Sequence, residues 1–163
     1  MRKKLILDTA RRLYNNRGLS NVTIRQIAQE MKISSGNLTY HYEKRGDLVK
    51  GIFQDLCSIE EKFLALYRQT NLNDRQLNNL MKSHAKAMFH YRFFWIDFVQ
   101  VGRENLRTQK KLDGLMQNRF DELDYEWANY LNQFLYLMAT SNMKFTSKSL
   151  EIHFSKIEEK VFV

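Results

Sequence analysis

The chain contains no proline and only six glycines in 163 residues, so it lacks most of the residues that interrupt helices. Apolar residues recur at helical spacing from the start, where Ile6, Ala10, Leu13 and Tyr14 follow an i, i+4, i+7, i+8 pattern. Gly18 is a natural C-terminal stop for this first helix, which is expected to cover residues 2–16. The sequence therefore predicts an all-α protein.

Two short helices are predicted after this stop. Thr23 and Gln26 have the spacing of a capping box at the start of the first, and Ser34 is placed to cap the second, SGNLTYHY. A fourth helix is expected to begin near Gly46. Residues 1–46 are thus predicted to form a three-helix domain that ends in a helix-turn-helix.

Residues 47–163 are predicted to form a second helical domain, which contains eighteen of the 21 aromatic residues. Asp74 is expected to cap a long fifth helix that carries apolar residues as far as Phe98. A short segment over residues 104–108, a long helix over residues 110–139 and a last helix over residues 147–161 follow. For residues 146–154 a strand is the alternative, because their pattern fits either structure.

Positive charge is concentrated in the first domain. Residues 1–50 contain eleven Lys and Arg against four Asp and Glu, whereas the remaining residues contain fifteen against fourteen, for a net charge of +8 in total. A basic module on a nearly neutral body indicates a polyanion-binding protein. The alternative is that the basic residues only form a solvent-exposed face of an ordinary domain and bind no polyanion.

The predicted second helix of the helix-turn-helix has the residue types that a DNA recognition helix needs. Small and polar side chains at its start allow close approach to base edges and phosphates, and later residues add hydroxyl, imidazole and guanidinium donors. In chain order, these residues are Ser34, Ser35, Gly36, Asn37, Thr39, Tyr40, His41 and Arg45.

Residues 6–48 resemble the N-terminal DNA-binding domain of TetR-family (AcrR-like) transcriptional regulators. The matching elements are the helix that ends at Gly18, the segment TIRQIA, the segment ISSGNL, the segment YHY, and DL at residues 47–48. The resemblance implies that some matching residues hold phosphates and others face bases. The first group is Thr23, Tyr40, His41 and Arg45, and the second is Arg25, Ser35 and Asn37. Three positions depart from the family pattern. Thr39 occupies a position where the family commonly has an aromatic residue, Arg45 one where it has lysine, and Gly46 one where it has an acidic residue.

The resemblance further implies a ligand-responsive transcriptional regulator of the bacterial cytoplasm, more often a repressor, that binds a pseudo-palindromic operator in double-stranded DNA as a homodimer. Candidate dimer surfaces are residues 120–137 and the stripe over residues 150–161. Two alternatives stay open: a basic DNA-binding protein without sequence specificity, and a helical small-molecule carrier whose helix-turn-helix is vestigial.

A small hydrophobic effector is expected to bind among the aromatic and Met-rich helices of the second domain, as concave apolar sites between helices often hold ligands. Alternatively, these residues only build the core. Asp97 is either a polar anchor of such a pocket, a partner of Arg92 or Arg103, or exposed. The candidate ligand residues are Met81, His84, Met88, Tyr91, Phe94, Trp95, Asp97, Phe98, Met116, Phe120 and Trp127.

Other functional classes are not indicated. The sequence has no glycine-rich phosphate loop, no nucleophile elbow and no histidine pair at the spacing of a helical zinc site, so no enzyme, cofactor or metal is expected. A lone Cys57 and the short apolar stretch after the basic N-terminus fit a cytoplasmic protein without a signal peptide. No apolar segment is long enough to predict a membrane span.

Overall fold

The computed structural model describes residues 2–69 and 72–123, and all regular structure in this part of the chain is helical. The prediction of an all-α fold is confirmed. In chain order the elements are α1 (Arg2–Arg17), a 3-10 turn (Leu19–Asn21), α2 (Ile24–Glu30), α3 (Ser35–His41), α4 (Arg45–Tyr67), α5 (Asp74–Phe89), α6 (Phe93–Ile96), α7 (Phe98–Glu104) and α8 (Leu106–Glu122).

The three helices predicted within residues 1–46 are α1, α2 and α3. The apolar face of α1 is buried, and the helix is followed directly by Gly18, whose φ of 82° lies in the left-handed region that favours glycine. The capping box at α2 is present, because Thr23 Oγ1 accepts a hydrogen bond from the Gln26 amide while Gln26 Oε1 accepts one from the Thr23 amide. Ser34 Oγ caps α3 by accepting from the Asn37 amide at 3.1 Å. These predictions are confirmed.

Helix α4 leads from this module into the second set of helices. It begins at Arg45, one residue before the predicted start, and it packs against α1, α5, α7 and α8. Its buried residues include Leu48, Ile52, Leu56 and Phe63, which join one apolar cluster that extends from α1 to α8. The helix-turn-helix module and the second set of helices therefore share a core.

The fifth helix is shorter than predicted. It ends at Phe89, and a turn over residues 90–92 precedes α6. The turn is held from α1: the His90 carbonyl accepts hydrogen bonds from Arg11 Nη1 at 2.9 Å and Asn15 Nδ2 at 2.7 Å. The prediction of one helix as far as Phe98 was wrong. A local apolar pattern carries no information about hydrogen-bond partners that are distant in the sequence.

Two further boundaries differ from prediction. The cap of α5 is Asn73, whose side chain accepts from the Gln76 amide at 3.0 Å, and Asp74 is the first helical residue. Residues 98–104 form α7, and α8 begins at Leu106 rather than near residue 110.

Several predictions lie outside the described residues. They are the continuation of the long helix beyond residue 123, the last helix or its strand alternative, nearly all of both candidate dimer surfaces, Trp127, and the side chains of Met116 and Phe120. In the described ranges, no helix combines the length and apolar character that a membrane span requires.

Candidate nucleic-acid interface

Helix α3 presents a polar surface to solvent and is anchored by its apolar side. Leu38 is fully buried, whereas Ser35, Gly36 and Tyr40 are exposed, and Tyr40 is 86% exposed. Asn37, Thr39 and His41 are half-buried. A seven-residue helix anchored in this way can place its outer face against the major groove of DNA.

Local hydrogen bonds decide which side chains on α3 are free to bind. The Thr39 hydroxyl donates to the carbonyls of Ser35 at 3.1 Å and Gly36 at 3.2 Å, so its proton is used within the helix. The Tyr40 and His41 rings meet edge to face with centroids 5.2 Å apart. Both residues lie in the last turn of α3, and their hydroxyl and imidazole groups are of the types that contact DNA phosphates.

Helix α2 contributes a second part of this surface. Arg25 is exposed, and it has no ion-pair partner among the described residues. It lines a shallow cleft of about 380 Å³ between α2 and α3, together with Ser34 and Ser35. Thr23 is exposed, but its hydroxyl already caps α2. Arg25 and Ser35, both expected to face bases, are thus brought together.

Arg45 differs from the other predicted DNA-binding residues, because its guanidinium faces the protein interior. Nη1 donates to the carbonyls of Leu19 and Val22, each at 3.3 Å, and Nη2 pairs with the Glu104 carboxylate of α7. The hydrogen bond from Arg45 to Glu104 raises the pKa of Arg45. Burial raises the pKa of Glu104, but hydrogen bonds from Arg45 and Gln100 outweigh it, and the pKa is lower than usual.

The Arg45–Glu104 pair belongs to a set of contacts that we name the interdomain network. Its other members join α1 and the 3-10 turn to α6 and α7. The Phe93 amide donates to Asn15 Oδ1 at 3.1 Å, and the Leu19 amide donates to Asp97 Oδ2 at 2.6 Å. The network comprises Asn15, Leu19, Arg45, Phe93, Asp97 and Glu104.

The sequence alone did not indicate these contacts. Asp97 stood out as an acid within an aromatic run, yet its partner is a backbone amide 78 residues away. Asn15 and Glu104 carried no signal, as a polar residue in a helix gives no hint of a distant partner. Arg92 likewise contacts α1, donating to the Asn15 carbonyl at 3.1 Å.

The candidate ligand residues fall into two groups. Met81, His84 and Met88 are buried on α5, where His84 Nε2 lies 3.1 Å from Glu60 Oε1 of α4. Tyr91, Phe94 and Trp95 are buried at the corner between α5 and α6.

Contacts within the second group extend to α4 and α7. Phe94 meets Phe53 of α4 edge to face, at 5.7 Å between centroids, and Phe98 is half-buried on α7. The described residues contain no group of three His, Cys, Asp or Glu side chains placed to hold a metal ion.

Comparisons with known proteins agree with this architecture. The sequence signature described as "Bacterial regulatory proteins, tetR family" matches residues 6–52. No curated protein sequence is significantly similar to the chain. Among solved structures, a TetR-family transcriptional regulator from Marinobacter aquaeolei is similar with a TM-score of 0.74 and 18% identity, over 98% of both chains.

Two further structures share the fold at lower similarity. The fatty acid degradation regulator FadR from Bacillus halodurans has a TM-score of 0.59 and 13% identity, over 94% of this chain and 93% of its own. A ketosteroid transcriptional regulator from Mycobacterium tuberculosis has a TM-score of 0.52 and 15% identity, over 98% of this chain and 92% of its own.

The signature match coincides with the part of the chain where the exposed α3 surface and the basic residues lie. The matched family is described as regulatory proteins, which agrees with the prediction of a regulator rather than an enzyme. Residues 6–52 therefore carry the signature of the TetR family of bacterial regulatory proteins, and the chain shares the fold of solved TetR-family transcriptional regulators.

Proposed function

We propose that this protein is a repressor that binds a pseudo-palindromic operator as a homodimer and leaves it when a small apolar ligand binds the second set of helices. The observation that carries this proposal is the α3 surface, where Ser35, Gly36 and Tyr40 are exposed while Leu38 fixes the helix from behind. The TetR-family resemblance supports repression as the direction of control.

The proposal of a dimer is based on the small size of the surface that α3 offers to DNA. Helix α3 has seven residues, so one copy contacts only a few base pairs. Useful specificity then requires two copies on two half-sites, and a two-fold dimer presents them to a palindromic sequence. The half-sites are expected about one helical turn of DNA apart, or a multiple of it.

The ligand is proposed to be mainly apolar, because the corner between α5 and α6 is aromatic. The described residues provide no hydrogen-bond partner for Trp95 Nε1, which is buried there. A buried donor without a partner costs about 1–3 kcal/mol, so a ligand oxygen that accepts from it gains affinity. Trp95 replaces Asp97 and His84 as the proposed polar anchor, since both of these side chains have protein partners. Two of the similar structures are a fatty acid degradation regulator and a ketosteroid transcriptional regulator, which is consistent with an apolar metabolite.

A selection from random double-stranded DNA with the purified full chain tests the operator proposal. We expect enrichment of an inverted repeat, and the stoichiometry on the selected site should be one dimer. Arg25→Ala and Asn37→Ala should each cost about 1–3 kcal/mol on that site and relax the preference at single base pairs. A selection that enriches no motif, or a protein that stays monomeric on DNA, contradicts the proposal.

Trp95→Phe tests the ligand site with little change in packing. The substitution removes the indole donor and keeps an aromatic ring, so the protein should fold and bind the operator normally. Some apolar and amphipathic compounds are expected to release the wild-type protein from its operator. The same compounds should release this variant only at about tenfold higher concentration, because one hydrogen bond to the ligand is lost. If every active compound released both proteins at the same concentration, Trp95 would not be part of the ligand site.

A further inference from the structure

A groove between α4 and α8 is lined by cationic side chains from both helices. Lys44 and Lys50 lie on the α4 side, and Arg107 and Lys111 lie on the α8 side. All four are exposed, and in the described part of the chain none of them has an ion-pair partner. Four unpaired cations on facing walls produce a strongly positive potential inside the groove.

The single carboxylate in the lining does not neutralise this charge. Asp47 Oδ2 accepts a hydrogen bond from the Lys44 amide at 3.2 Å, so this carboxylate is committed to the first turn of α4. With Asp47 included, the lining has a net charge of +3 when the four cations and one anion are summed. Phe53 closes part of the apolar floor.

We propose that this groove binds a small molecule that carries two or more phosphate groups. Its volume of about 410 Å³ lies in the range of small-ligand sites. Arginine binds phosphate oxygens through a planar fork and lysine binds them as a point charge, and the groove offers both. A diphosphate or triphosphate group matches the net charge of the lining better than a single phosphate does.

A small ligand is favoured over the DNA backbone by the shape of the surface. Cationic residues of both helices line the same recess, so an anion held in it can contact α4 and α8 together.

A ligand in the groove would contact both α4, which follows the helix-turn-helix, and α8, which belongs to the second set of helices. One wall is the start of α4, which follows the helix-turn-helix directly, and the other is the start of α8. Between them lies the contact of Gly46 with Glu104, where a Cβ on Gly46 would approach the Glu104 carbonyl oxygen to 2.6 Å. A ligand that spans both walls stabilises this arrangement of α4 against α7 and α8.

The test is calorimetric titration of the full-length protein with inorganic tripolyphosphate, without DNA. The variant Arg107→Gln/Lys111→Gln removes two groove cations, and the matched control Arg103→Gln/Lys110→Gln removes an exposed arginine and an exposed lysine from α7 and α8 outside the lining. We expect one binding event per chain in the wild type. The groove variant should bind about tenfold more weakly or worse, and the control within about twofold of wild type.

Two results would overturn the proposal. The first is absence of binding to the wild type, or an equal loss in both variants, which would show only a general attraction to positive charge. The second comes from DNA titrations without tripolyphosphate. If the groove variant loses DNA affinity selectively while the control does not, the groove contacts the DNA backbone instead. Because binding of tripolyphosphate is measured without DNA, a failure of the proposed operator function leaves this test intact.

Discussion

Gly36 lies on the exposed face of α3, and internal packing does not explain why it is glycine. A Cβ built on it meets no atom within 4 Å, and its φ is not in the left-handed region. A helical glycine costs about 0.5–1 kcal/mol relative to alanine. The proposed DNA interface offers a reason, because a residue without a side chain allows close approach of a DNA backbone.

Gly36→Ala should consequently separate folding from function. The variant is expected to unfold at equal or higher denaturant concentration than the wild type, with a gain of up to about 1 kcal/mol, while its operator affinity falls about tenfold or more. Chemical denaturation and a DNA titration measure the two quantities. Gly114→Ala is the matched control, since Gly114 on α8 is also exposed with nothing within 4 Å. Its operator affinity should not change, and unchanged affinity of Gly36→Ala would contradict the assignment.

Glu104 gives the interdomain network a pH dependence. Burial raises its pKa, but the hydrogen bonds from Arg45 and Gln100 outweigh this, so the folded-state pKa is lower than the unfolded-state value. The folded protein therefore binds fewer protons, and the ionised pair contributes stability above the unfolded pKa of Glu104. This contribution is lost as pH falls through the folded pKa.

Glu104→Gln should remove that dependence while keeping an acceptor for Arg45. We expect the variant to be less stable than the wild type at neutral pH, with a difference that shrinks as pH falls below the usual glutamate range. Urea denaturation from pH 7 to pH 3 measures it. Glu61→Gln, at an exposed position on α4, serves as the control and should follow the wild type. A constant difference at every pH would show that Glu104 acts without its charge.

At the scale of elements, the features that could be predicted from the sequence are those set by neighbours in the chain. The capping box of Thr23 with Gln26 and the cap of Ser34 involve residues three apart, so their spacing is readable directly. The break after Phe89 is set by Arg11 and Asn15 of α1, more than seventy positions away. No local apolar pattern encodes such a contact.

The same distinction applies to the candidate site. The exposed residues of α3 could be predicted, because a recognition helix is a local element with its own composition. Arg45 shows the limit of this reasoning: its charge and position suggested a phosphate contact, but Glu104 and two backbone carbonyls engage the guanidinium in the structure. Asp97 shows the same limit, since its partner is the amide of Leu19.

Asp97→Ala tests the contact between the 3-10 turn and α7. The variant leaves the Leu19 amide without its charged acceptor, at a residue that is fully buried, so we expect a loss of about 1.5–3 kcal/mol in the free energy of unfolding. Asp113→Ala removes an exposed acid from α8 and should change stability by less than about 0.5 kcal/mol. Equal stability of the two variants would show that the interdomain network contributes little.

At the scale of the whole molecule, the helix-turn-helix module and the helices proposed to bind ligand share an apolar core and are joined by further connections. Helix α4 connects them covalently, and the interdomain network connects α1 and the 3-10 turn to α6 and α7. A ligand changes DNA binding only if it prefers one arrangement of these parts, because equal affinity for both shifts nothing. A tenfold to hundredfold loss of operator affinity requires a preference of about 1.4–2.8 kcal/mol.

The basic first third also predicts a steep dependence on salt. Eleven Lys and Arg against four acids in residues 1–50 give a positive surface that releases counterions from DNA. Binding should weaken on a log–log scale with a slope of about −0.9 for each phosphate neutralised. Fluorescence titrations at several salt concentrations measure this slope, and a slope near zero would show that the basic charge does not contact the backbone.

The most direct test of the central claim, that α3 reads a DNA sequence, compares affinities for two duplexes at one salt concentration. One duplex carries the selected operator, and the other carries the same bases in scrambled order. Because charge alone cannot distinguish them, we expect the wild-type protein to bind the operator about 10³-fold more tightly or better. Equal affinity for the two duplexes would contradict it and would indicate a basic DNA-binding protein without sequence specificity.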